Sequence, residues 1–222
     1  MRNALLVAAS LFVLTACPDP AKDKPKATVT APVPTPSAPT GDKPATPPAP
    51  LANATAYPFT QEGSKVSFVG AKVTGKHDGG FNTFGGIIEL VENDPTKGRV
   101  RASIDMASAF TDSEKLTGHL KSPDFFDVEK FKEAIFESTA IAKKDDKFEV
   151  SGNLTLHGVT KGITFPASIT VSADEVTVAA EFAINRKDFS IIYPGKPDDL
   201  IADNVALKLD LHAKKKAAVP AQ

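Results

Sequence analysis

An all-β fold is predicted, an eight-stranded antiparallel barrel with one short helix and a lid segment between its third and fourth strands. Three observations lead there. Apolar and polar residues alternate in eight separate runs, the period of a strand with one buried and one wet face. Most of these runs are joined by short turn-forming segments, as consecutive antiparallel neighbours are. The wet positions carry Arg, Lys, Asp and Glu, which lipid would not tolerate, so the barrel is not one that spans a membrane. Closure removes exposed strand edges, and eight strands enclose either packed side chains or one slender ligand. A sandwich is the main alternative.

The clearest element is the hairpin over residues 151–165, SGNLTLHGVTKGITF. Gly152, Leu154 and Leu156 alternate with Ser151, Asn153 and Thr155, and the alternation resumes at Ile163 and Phe165 after a turn expected at 158–162. The first strand, 64–74, carries Val66 and Phe68 and then Val69, Ala71 and Val73, a parity flip that a bulge near Gly70 would explain. Lys76-His77-Asp78-Gly79-Gly80 reads as a turn. The second strand is 81–91, closed by Asn93-Asp94-Pro95, and the third places Val100, Ala102, Ile104 and Met106 on one face. Thr111-Asp112-Ser113-Glu114 matches a capping box, and Leu116 and Leu120 share a face of the short helix that follows. Pro123 ends that helix, and the aromatic stretch up to Phe131 is the expected lid. Strands follow at 135–142, 147–156, 163–171 and 176–184. The last puts Val205, Leu207, Leu209 and Leu211 on one side.

The termini have a different character. Residues 1–16 hold Arg2, a short apolar run and small residues, the pattern of a secretory signal, and the run is too short to span a bilayer comfortably. The chain's one cysteine, Cys17, follows directly, and a lone cysteine cannot be half of an internal disulfide. Leu14-Thr15-Ala16-Cys17 resembles the lipobox of bacterial lipoproteins. That resemblance implies a diacylglyceryl group on the Cys17 sulfur, cleavage before it and acylation of the new amino group. Pro18 and Asp19, next in line, favour the outer membrane. Residues 17–56 are expected to be a disordered, proline-rich linker: 11 of the 18 prolines lie between Pro18 and Pro50, and large apolar residues are too few to offset the entropy of ordering. The domain is placed at 57–213 and a disordered tail at 214–222. Net charge is −1, with no basic stripe, so nucleic acid is an unexpected partner.

LKSPDFFDVEK at 120–130, LTLHGVTKGITF at 154–165 and INRKDF at 184–189, with the closing strand 200–211, resemble the YceI-like family of bacterial periplasmic proteins. The resemblance covers residues 59–213. It implies an extended, lipocalin-like eight-stranded barrel whose apolar pore holds a polyisoprenoid or another long-tailed amphiphile. On that reading Phe68, Leu90, Ile104, Phe136, Leu154, Leu156, Phe165, Phe182 and Leu209 line the pore. Arg186 meets a charged head group, or else pairs with an acid such as Asp124 or Asp127. His77, His119, His157 and His212 lack the spacing of a metal site, and neither a nucleophile elbow nor a triad is present. A non-enzymatic, membrane-anchored carrier of a hydrophobic molecule, facing the periplasm, is therefore expected, without cofactor or metal; the alternatives are a structural or adaptor envelope lipoprotein in which the same inward residues fill an ordinary core, or an enzyme acting on a lipid. A homodimer is left open.

Overall fold

The computed structural model describes residues 19–34 and 49–215. The signal segment, Cys17, residues 35–48 and residues 216–222 lie outside the described residues. The elements, in order, are β1 (Thr28–Thr30), β2 (Ala54–Thr60), β3 (Lys65–Lys72), β4 (Gly75–Phe81), β5 (Phe84–Val91), β6 (Asp94–Asp105), β7 (Ala109–Thr111), α1 (Glu114–Lys121), β8 (Glu133–Lys144), β9 (Lys147–Leu156), β10 (Val159–Val171), β11 (Glu175–Asn185), β12 (Gly195–Lys196), β13 (Asp199–Leu200) and β14 (Asn204–Lys214). The main sheet is antiparallel and curls on itself in the order β2-β5-β6-β8-β9-β10-β11-β14-β3-β4-β7, while β12 and β13 form a small hairpin. Among the described residues no helix is long and apolar enough to cross a membrane.

All eight expected strands are present, as β3, β5, β6, β8, β9, β10, β11 and β14. Their inward faces, with that of β2, build the main core, in which Tyr57, Ile88, Leu90 and Val176 are almost wholly buried. Five details differ from the sequence-based expectation. The hairpin turn is not at 158–162 but at His157-Gly158, both at positive φ, and Val159 already belongs to β10. Two left-handed residues match the right-handed twist of the flanking strands, so the shortest connection wins. Residues 76–80 belong to β4, paired to β3 over Ser67–Lys72, and glycine is needed in this strand because a Cβ on Gly79 would come within 2.4 Å of the Phe68 ring. The capping box does not form. Thr111 is the end of β7, its hydroxyl donates to the Ser113 carbonyl (2.7 Å), and Ser113 becomes the N-cap. The β5–β6 turn is at Glu92-Asn93, so Asp94 and Pro95 already belong to β6. The last strand is Asn204–Lys214, not the expected 200–211.

The parity flip in β3 is no bulge. Its register is continuous against β14 from Lys65 to Val69 and against β4 from Ser67 through Gly70 to Lys72. Val66 faces the core and Val69 faces outward, where it joins Ala183 of β11 and Ala206 of β14. That outer apolar patch is covered by Ala21, which is 1% exposed.

Ala21 belongs to the tract expected to be a free linker, and here the expectation is corrected. β10 and β11 pair only where Ser168–Val171 faces Val176–Ala179. Beyond that the two strands splay, leaving a seam of unpaired backbone. Residues 25–30 fill it. Ala183 donates to the Pro25 carbonyl (2.9 Å) and accepts from Ala27 N–H (2.8 Å), and Thr28–Thr30 pairs antiparallel with Gly162–Thr164. Ala27 and Val29 turn inward onto the core. Asn153 clamps the end of the strap, accepting from Val33 N–H (2.9 Å) and donating to its carbonyl (2.6 Å). Near its start Lys24 meets Glu181 at 2.8 Å, and this hydrogen bond holds the Glu181 carboxyl below the usual carboxylate range. At the other end of the tract, Arg99 and the buried Glu89 bind Ala49 and Leu51. Composition disfavours this tract folding alone. An unsatisfied sheet edge supplies the hydrogen bonds that it cannot make for itself.

Candidate functional site

The site is a cavity inside the curled sheet. One end of the sheet is filled by Tyr57, Leu90, Val176 and Ala213, each at most 1% exposed, and there is no room left there. Toward the other end the inward side chains leave a space between them. Ile104, Phe136, Leu154, Leu156, Leu207 and Leu209 pack on the core yet remain only half-buried, because part of each faces a void. The void is about 640 Å³, within the range of roughly 300–1,000 Å³ that ligand pockets occupy. Phe165 and Phe182 stack at 4.2 Å on neighbouring strands, and Phe136 leans on Phe165 at 5.7 Å with its ring tilted by 54°, making an aromatic wall. Gly152 lets Phe136 lie against β9; any Cβ there would come within 2.5 Å of the ring.

Eight of the nine expected pore residues line this cavity: Phe68, Ile104, Phe136, Leu154, Leu156, Phe165, Phe182 and Leu209. Leu90 does not. It points inward, as its alternation requires, but at the filled end, 1% exposed, where it packs beside Gly98. Strand parity tells inside from outside, not height along the axis.

The open end is covered by α1 and the turn after it. Leu116 and Leu120 face the cavity together, as their spacing predicts, with Phe125 and Phe126 beside them. The chain folds back on the helix through Phe126 N–H to the Leu120 carbonyl (3.0 Å). The lid is thus α1 plus residues 122–126, shifted toward the N-terminus from the expected segment. Phe131 stands outside it against His157, with ring centroids 4.5 Å apart. Facing the lid is the loop 191–201, and His119 joins the two: its ring meets Phe125 at 5.0 Å and Tyr193 at 5.1 Å, both edge-on. Tyr193, Pro194, Gly195 and Pro197 mark this stretch as a loop, but strand periodicity gives no sign that Tyr193 meets the lid.

Polar groups gather at the mouth. Lys72 is paired with Asp199, which also accepts from Thr74 N–H (3.1 Å) and the Thr74 hydroxyl (2.9 Å). These bonds, that from Lys72 above all, hold the Asp199 carboxyl below its ordinary range. Each histidine has a partner of its own. His77 lies 2.8 Å from Asp112, His119 is 3.0 Å from Asp124, and His212 is 3.1 Å from Glu175. His157 donates to the Phe189 carbonyl at 3.2 Å, a distant backbone group rather than a local one. Among the described residues no three His, Cys, Asp or Glu side chains converge as a metal site would need.

Arg186, for which a head-group role is expected, lines the cavity, and the hydrogen bonds of its guanidinium go to the backbone. The residue is 4% exposed, and its guanidinium donates to three carbonyls, Ile191 at 2.7 Å, Ala202 at 3.0 Å and Ile201 at 3.3 Å. The acid near it is Asp203 at 3.5 Å, not Asp124 or Asp127. Burial lowers its pKa, and Asp203 opposes that. With its fork spent on backbone oxygens, Arg186 pins the 191–203 loop to the end of β11 and so builds the rim of the mouth.

A curled antiparallel sheet around an apolar cavity, lidded by a short helix, agrees with the comparison to known families, in which the YceI-like domain matches residues 57–213. The chain belongs to the YceI-like family. Protein YceI of Salmonella arizonae and that of Salmonella newport are each 35% identical over 119 residues, 51% of this chain. The match spans 62% of the length of those relatives. Among solved structures, Burkholderia cenocepacia BcnA superposes with a TM-score of 0.63 at 26% identity, covering 70% of this chain and 99% of BcnA. A polyisoprenoid-binding domain from Saccharophagus degradans, implicated in plant cell wall breakdown, gives 0.60 at 19% identity over 73% of this chain and 99% of its own. The last of these likenesses concerns the YceI-like fold alone. The strap over β10 and β11 lies before the matched YceI-like region.

Proposed function

We propose that this protein is a membrane-anchored carrier in the bacterial envelope, facing the periplasm, and that it holds a long-chain amphiphile of the isoprenoid, polyprenyl or quinone-like class. The observation that carries this reading is the apolar cavity of about 640 Å³ behind a separate lid. Each methylene transferred from water into such a lining contributes about 0.8 kcal/mol, so a chain of modest length binds tightly without any polar anchor deep inside. The charged groups stand at the mouth, where a polar head would remain wet. The Saccharophagus degradans relative, named for polyisoprenoid binding, supports the ligand class.

Catalysis is not part of the reading. An enzyme needs titratable groups converging on a reacting atom, and the inner wall here is Phe, Leu, Ile and Val. The anchor rests on Cys17 and the lipobox-like residues before it. Three acyl chains on one residue hold a protein firmly at a bilayer, and the outer membrane is the favoured one.

The test is native mass spectrometry of protein purified from its own host, followed by solvent extraction. A long-chain lipid at about one per chain is the expected result. A protein that is empty when isolated gently, and that takes up no prenol or quinone from mixed micelles, would count against it and favour an adaptor role for the outer surface.

A further inference from the structure

Five large apolar side chains are exposed among the described residues, and three of them, Val73 (61%), Ile192 (69%) and Leu200 (52%), are chain neighbours of residues that line the cavity mouth, Lys72, Ile191, Tyr193, Asp199 and Ile201. Val73, on the β3–β4 turn, donates its N–H to the Leu200 carbonyl (3.1 Å), and Ile192 lies on the loop that Arg186 pins. The backbone under them is held firmly by Asp199 on Thr74 and Lys72, so these tips are presented, not merely loose. Such a cluster on rigid turns costs solvation and serves the fold nothing. Charges around it alternate in sign, with Lys196 and Asp198 exposed on the β12–β13 hairpin and Lys76 and Asp78 exposed on β4, so an electrostatic partner is not indicated.

The start of the strap adds a second observation. Ala21 sits on Ala183, Ala206 and Val69, which lie two, two and three residues from the mouth ends of β11, β14 and β3. Asp19, the first described residue, is two residues beyond Ala21 and two from Cys17. Chain spans at most about 3.5 Å per residue, so the seam-bound strap leaves Cys17 a leash of only about 7 Å, starting on the mouth half of the wall. A barrel so held cannot stand far from the lipid on its cysteine, nor easily turn its mouth away.

We propose that the rim is a membrane-docking face: Val73, Ile192 and Leu200 insert into the interfacial layer of the bilayer that holds the anchor, and the cavity opens directly onto lipid. This deepens the carrier reading above, and its orientation argument rests on the acylated Cys17. A tail then passes between bilayer and cavity beneath α1 without crossing water.

The test uses the full chain made in its host. Ile192→Cys at the rim and Asp145→Cys on the β8–β9 turn at the closed end each receive an environment-sensitive fluorophore. The two proteins are mixed with phosphatidylcholine vesicles containing a spin-labelled lipid. Intact mass reports acylation independently, and if Cys17 carries a free thiol it is replaced, Cys17→Ser, before labelling. Quenching at 192 several-fold stronger than at 145 is expected. In the Val73→Ser/Leu200→Ser background it should weaken about tenfold, the effect of withdrawing two apolar contacts. Equal quenching at both sites, or none at 192, overturns the docking face. An absent acyl group overturns the anchor alone, since quenching at 192 is read either way.

Discussion

Leu90 and Leu156 show what burial means for single residues in this protein. Both point inward, but Leu90 fills the closed end while Leu156 faces the void. Leu90→Ala is expected to cost about 3–4 kcal/mol, since it leaves a cavity in close-packed surroundings. Leu156→Ala, which enlarges an existing space, should cost less than about 2 kcal/mol and instead alter the bound lipid. Urea unfolding beside lipid extraction separates the two effects. Arg186 makes the complementary case for polar atoms. Arg186→Lys keeps the charge but loses the fork, leaving carbonyls of the 191–203 loop unpaired, at a cost of roughly 2 kcal/mol. The same variant should retain its lipid load, which a head-group contact would not allow.

Among elements, the strap is the least expected. It is held by groups on three strands, Asn153 on β9, Gly162 on β10 and Ala183 on β11. Gly162 is needed for the close approach: an added Cβ would lie 2.5 Å from the Thr30 hydroxyl and 2.8 Å from the Ala31 carbonyl. Gly162→Val should therefore expel residues 28–33, seen as lost hydrogen-exchange protection there and as new proteolysis, with the β9–β10 ladder kept. Acid should loosen the strap's start. Glu181 is depressed below its ordinary value of 4.5 by the Lys24 hydrogen bond, so its contribution is complete above about pH 4.5 and is lost as the pH falls through the lower folded value. The Ala27 amide resonance, reporting its bond to Ala183, should shift in that acidic window and stay constant from there to neutrality. Both groups are substantially exposed, so the change is small.

At the scale of the whole molecule the fold is a wall closed at one end, lidded at the other and completed at one seam by residues from outside the domain. Stripping the cavity should therefore destabilise the protein without unfolding it, since its closed end and seam do not depend on the ligand. Delipidated chain is expected to melt several degrees lower, and adding a long-chain prenol at about 100 times Kd should restore about 2.7 kcal/mol. A calorimetric scan before and after extraction checks this; unchanged melting would mean that the cavity binds nothing that matters to the native state.

Alternation in eight strands, the apolar face of α1 and eight of the cavity residues were legible in the sequence, because strand and helix periods assign a side to every side chain. Two pointers to the rest were also there. Pro166 sits inside β10 where no ladder runs on the seam side, as a proline in a strand marks an edge; and the outward Val69, Ala183 and Ala206 needed something to cover them. Neither says what does. Turn positions, the height of Leu90 along the axis, the partners of Arg186 and the docking of a proline-rich tract on an open seam all depend on what lies across the fold. Periodicity is a property of one segment, whereas an unpaired edge, a filled end and an empty one exist only once the segments have met.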